Sequence, residues 1–190
     1  MDKQLLIDKL SRNFLSSKMN KKLLTDHFLA SKKDIQILIN IINDSDENKA
    51  FLAAWILDGI ARQNIDTIQF YIPQLISILE STENESVLRS TSKIFELIAL
   101  DYKKDKRKYQ SILDHNFKEQ LIEIGFDKLI SNHKVAVKVL MMEVLLEFGK
   151  ETDWVHLELK SIIEKELFNG SPAYQARGKK TLKAINKIQL

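Results

Sequence analysis

Asp58 follows Trp55 by three residues, so a helix would set an aromatic ring and a carboxylate one turn apart on one face. Glu143 and Glu147 stand four apart inside the apolar stretch 135–148 and would also share a face. A carboxylate in apolar surroundings has a raised pKa and can act as a general acid or base. The alternative for all three is an exposed edge on a helix whose other sides are covered, and that is the expectation adopted for each.

Little else has spacing suited to chemistry. His27, His115, His133 and His156 form no His-x-x-x-His or Glu-x-x-His pair, the spacings that place two metal ligands on one helical face. The chain has no cysteine, which removes disulfides, thiolate catalysis and cysteine-bound zinc. Its five glycines are isolated, so no Gly-rich phosphate loop or Gly-x-Ser-x-Gly elbow can be traced. The expectation is a protein without catalytic residues, cofactor or metal.

The elements that carry these residues read as helices throughout. Apolar positions recur at three- and four-residue steps, no stretch alternates with period two, and only two prolines and five glycines interrupt 190 residues. Helices are expected at about 2–16, 20–30, 33–43, 47–63, 66–81, 84–103, 116–131, 133–150, 152–168 and 172–188. Asp66, Thr152 and Ser171 are the expected N-caps, with Pro172 at a first helical position. The expected core contains Leu38, Ile42, Leu57, Ile60, Leu75, Leu79, Phe95, Ile98, Leu140, Val144, Leu159 and Ile163. Short connections favour antiparallel neighbours, giving four or five helical hairpins stacked in a right-handed all-α superhelix.

Charge is mild overall, at +3, but uneven. Residues 101–108 carry five basic and two acidic groups, and residues 171–190 carry five basic groups and no acid, on an otherwise acidic body. Such patches bear on partners rather than fold. In the last helix Tyr174, Gly178, Leu182, Ile185 and Ile188 trace an inner stripe. Arg177, Lys180 and Lys187 trace an outer one, read either as a solvated cap or as a surface for an acidic partner. No apolar run is long enough for a membrane span. The opening Met1-Asp2-Lys3-Gln4-Leu5 lacks the pattern of a secretory leader, so a cytoplasmic location is expected.

The expected second helices align as Lys49–Leu57, Val87–Phe95, Val137–Leu145 and a segment beginning near Ala176. Taking Ala53, Thr91, Met141 and Lys180 as equivalent gives spacings of 38, 50 and 39, the long one accommodating a basic insertion near 103–115. With Phe70-Tyr71-Ile72-Pro73-Gln74-Leu75-Ile76 as a proline-bearing first helix, the chain over roughly 33–188 resembles the HEAT-like repeat family. Residues 1–32 would form an N-terminal helical cap of the same single domain. The segments Ala53-Ala54-Trp55, Ser131–Lys138, Gly149–Trp154 and Asn169-Gly170-Ser171 also resemble short bacterial HEAT-like proteins that sometimes carry the name adenylosuccinate lyase. The Ser-rich lyase loop has as its nearest counterpart Gly170-Ser171-Pro172-Ala173, which lacks the second serine, the methionine and the lysine.

What the resemblance implies is a non-catalytic platform binding another macromolecule, first of all a protein. Its second helices would offer Lys49, Arg62, Arg89, Lys93, Lys134, Lys138, Arg177 and Lys180, with Lys187 beyond them. The alternative is nucleic-acid binding of the kind seen in HEAT-like alkylpurine DNA glycosylases, with Trp55 and Asp58 at the site. A lyase activity would follow from the name alone. The sequence fixes no oligomeric state.

Overall fold

The structure, a computed structural model, describes residues 18–30, 32–44 and 46–188. The helix expected over 2–16 lies outside them. Among the described residues there are nine α-helices and no strand. The chain divides into two compact units, one up to Leu97 and the other from Ile98.

The first unit holds α1 (Lys18–Ala30), α2 (Lys32–Asp44), α3 (Glu47–Gln63), α4 (Ile72–Ser81) and α5 (Glu85–Lys104) as far as Leu97. Helix α3 starts where Asp46 accepts the backbone N–H groups of Asn48 and Lys49, and it packs against both α1 and α2. The stretch expected as one helix over 66–81 is two elements. Ile65–Tyr71 winds as a 3-10 helix capped by Asn64, whose side chain accepts from the Asp66 N–H, so Asn64 and not Asp66 is the cap. The α-helix begins only at Ile72. Pro73 has no N–H to donate and is accommodated in its first turn, where none is needed.

The second unit holds the end of α5 from Ile98, α6 (His115–Ile130), α7 (Val135–Phe148), α8 (Asp153–Leu167) and α9 (Pro172–Ile188). Helix α7 packs against α6, α8 and α9. Its sequence is apolar nearly all round, and every residue from Leu140 to Phe148 is buried. Ser171 caps α9 as expected, its Oγ accepting the Tyr174 N–H at 3.3 Å. Thr152 precedes α8 without a side-chain cap.

The stretch 103–115, expected as a basic insertion, contains a helix end and a 3-10 turn. Helix α5 runs on to Lys104, and Lys106–Tyr109 forms a 3-10 turn that Asp105 caps at the Arg107 N–H. Tyr109 is fully buried there and donates to Asp101 Oδ2 at 2.8 Å, while Lys108 pairs with the same carboxylate. Burial pushes the Asp101 carboxyl upward, but the bonds from Lys108 and Tyr109 outweigh it and hold the pKa below the ordinary value.

All twelve residues assigned to the core from sequence are buried. In the α9 stripe Tyr174, Gly178 and Ile185 are buried and Leu182 is half-buried, whereas Ile188, at the helix end, is exposed.

Candidate functional site

In the first unit, Trp55, Asp58 and Arg62 all project from α3. Asp58 is buried rather than on an open edge, at 7% exposure, and the Arg62 Nε donates to its Oδ1 at 2.8 Å. Trp55 is half-buried, stacks on Phe51 and is covered by the Lys21 ammonium of α1, 3.7 Å from the ring centre. Desolvation lowers the Lys21 pKa and the Arg62 charge adds to this, with Asp58 opposing. The carboxylate is therefore already bonded to a guanidinium and the indole already faces a cation.

In the second unit the two α7 glutamates depart furthest from expectation. Both are buried, because α6, α8 and α9 together leave α7 no open edge. Each is neutralised from outside the helix. The Arg177 guanidinium of α9 donates to Glu143 Oε2 at 2.7 Å. Lys103 lies 2.9 Å from Glu147 Oε1, and Lys150 pairs with its other oxygen. Arg177 thus turns inward to join two helices and does not belong to a solvated outer face.

A cleft of about 400 Å³ opens beside this region, lined by Tyr102, Lys106, Gln110, Leu113, Asp114, His115, Lys118 and Glu151. Glu151 Oε1 accepts from the Tyr102 hydroxyl at 2.9 Å and from Lys106 at 2.7 Å, and its Oε2 accepts from Lys118 at 2.9 Å. The bonds from Lys106 and then Lys118, reinforced by Tyr102 against a smaller cost of burial, lower the Glu151 pKa to about 2. Because the folded pKa lies below the ordinary 4.5, the stabilisation is complete above 4.5 and is lost as pH falls toward 2. The Glu151 side chain is 43% exposed, so solvent screening limits the gain to about 1 kcal/mol. Chemical denaturation of Glu151→Gln should show that deficit at neutral pH, shrinking as the pH drops through this window.

The remaining candidates scatter. Arg89, Lys180 and Lys187 are exposed, and among the described residues none of them forms an ion pair. Lys138 is half-buried, 3.8 Å from Glu166. Lys49 pairs with Asp46 and Lys93 with Glu96. The histidines have separate local partners where these are defined. His156 is buried with Nε2 2.9 Å from the Leu146 carbonyl, so that nitrogen carries the proton and donates. His115 lies 3.1 Å from Glu119, and His27 lies 3.6 Å from Asp34. Among the described residues no group of His, Asp or Glu could hold a metal ion, and no helix is long and apolar enough to cross a membrane.

Sequence reasoning missed one surface. Trp154, in the first turn of α8, stacks on Phe126 of α6 with ring centres 5.4 Å apart and planes at 23°. Trp154, Leu157 and Ile130 are 52%, 60% and 58% exposed. A tryptophan at a solvated first-turn position between Asp153 and Val155 was the available signal.

Compared with protein-family models, curated proteins and solved structures, the chain matches none.

Proposed function

We propose that this protein is a non-catalytic, HEAT-like helical platform that binds another protein. The exposed Trp154, stacked on the half-buried Phe126 and flanked by the exposed Ile130 and Leu157, carries the reading, because apolar side chains gathered at a helical surface mark interaction sites. The ion pairs support it from the other side. Asp58, Glu96, Glu143 and Glu147, the buried carboxylates among the described residues, are each bonded to a basic side chain.

The nucleic-acid reading has weaker support. Arg62 occupies Asp58, Lys21 covers Trp55, and of the exposed bases Arg89 lies on α5 while Lys180 and Lys187 lie on α9. Lyase chemistry has less still, since the Ser171 hydroxyl serves as the α9 cap. Affinity capture from lysate with and without nuclease, beside a salt titration against duplex DNA, tests the proposal. Captured proteins should survive nuclease, and anisotropy of the duplex should stay flat at low salt. Nuclease-sensitive capture with DNA binding that weakens steeply as salt rises would overturn it.

A further inference from the structure

The stacked pair on α6 and α8 is the centre of a larger apolar surface. Ile130 lies one turn beyond Phe126, and Leu157 one turn beyond Trp154, so each extends the stack along its own helix. The two helices are in contact, and all four residues belong to the second unit.

The exposed charges that α6 and α8 carry beside the stacked pair have one sign, and one turn further on lie two bases, the half-buried Lys160 past Leu157 and Lys134 past Ile130. On α6 and α8, the exposed charged residues within one turn of the stack are Glu123, Asp127, Asp153 and Glu158. Helical geometry puts Glu123 and Asp127 beside the Phe126–Ile130 stripe and sets Asp153 and Glu158 on either side of the Trp154–Leu157 stripe. Among the described residues none of these four forms an ion pair, whereas Lys150, in the turn before α8, is already paired with Glu147. The chain as a whole is basic, and its buried acids recruit its lysines and arginines, so an acidic rim left free is a local exception.

We infer that this surface docks a cationic amphipathic helix of a partner protein. The partner's apolar stripe would lie across Phe126, Ile130, Trp154 and Leu157, and its flanking lysines or arginines would meet Glu123, Asp127, Asp153 and Glu158. Apolar contact supplies the affinity, while the rim selects the sign of the partner and speeds encounter. The same rim disfavours nucleic acid and anionic lipid, both of which would bring negative charge to it. The inference rests on the protein-partner reading and gives that reading a location and a chemistry.

The test uses two labelled helix-forming peptides with one leucine stripe, one carrying lysine on its polar face and the other glutamate. Fluorescence anisotropy with the full chain should show saturable binding of the lysine peptide and binding at least about tenfold weaker for the glutamate peptide. Leu157→Arg, and independently Ile130→Arg, should weaken the lysine peptide by about tenfold or more, with circular dichroism unchanged because both sites are exposed. Combining Glu123→Lys, Asp127→Lys and Glu158→Lys should reverse the preference between the peptides. Equal affinity for both peptides, no binding of either, or indifference to both arginine variants would overturn the inference. So would sedimentation with phosphatidylcholine vesicles that Leu157→Arg abolishes while peptide affinity stays unchanged. Failure here leaves the platform reading to the nuclease-resistant capture described above, which does not depend on where the partner sits.

Discussion

Arg177→Met is expected to destabilise the second unit by about 3 kcal/mol, although sequence places Arg177 on an exposed outer stripe. The cause is the partner it leaves behind. Glu143 is buried in α7, and Arg177 reaches it from α9 at 2.7 Å. Removing the guanidinium strands a carboxylate away from water, and such losses run to about 3–5 kcal/mol. The lower end applies because the Arg177 side chain keeps 23% exposure. Lys180→Met, on the same helix but exposed, should change stability by less than about 0.5 kcal/mol. Urea unfolding of the two variants makes the comparison, and equal small effects would mean that the Glu143 pair contributes nothing.

Phe148→Ala should cost more, about 4 kcal/mol. Phe148 is buried at the end of α7, with its ring 5.1 Å from that of Tyr102, and Tyr102 in turn packs edge-on against the buried Tyr109. Truncation loses the transfer energy of an aromatic side chain and opens a cavity beneath Tyr102, whose hydroxyl bonds to Glu151. Two effects should therefore appear together, a large loss in the denaturant midpoint and a weaker pH dependence between about 4.5 and 2. Phe148→Leu keeps most of the volume and should cost about 1 kcal/mol. A cost below about 1 kcal/mol for the alanine variant would show that the aromatic cluster does not hold this unit together.

The helices and the core were legible because periodicity of apolar residues needs no tertiary information, and Ser171 signals its helix start locally. The break before Ile72 was less so. Whether Ile65–Tyr71 closes with i→i+3 or i→i+4 bonds depends on how the turn packs, and Pro73 is compatible with a helix that starts just before it. The buried charges were misread for a different reason. A sequence shows that Glu143 and Glu147 are acidic but not that three neighbouring helices cover α7. The clue was there in Val135–Phe148, since a helix apolar all round has no exposed edge for its acids to occupy. Its carboxylates then need cations from elsewhere, and the acid-free last helix supplies Arg177. The Phe126–Trp154 stack joins residues far apart in sequence, and the tryptophan in the first turn of α8 signals only one side of it.

Buried ion pairs hold helices together, whereas the exposed acidic rim is the part proposed to meet a partner. The most direct measurement combines Glu143→Leu with Arg177→Met and follows both stability and capture of the lysine peptide. Replacing both members of a buried pair with apolar residues of similar size is often neutral or stabilising. The double variant should therefore recover to within about 1 kcal/mol of the original protein and bind the peptide with unchanged affinity. A double variant that folds with full stability yet loses the peptide would contradict this division of roles, because the buried pair would then be part of the recognition machinery.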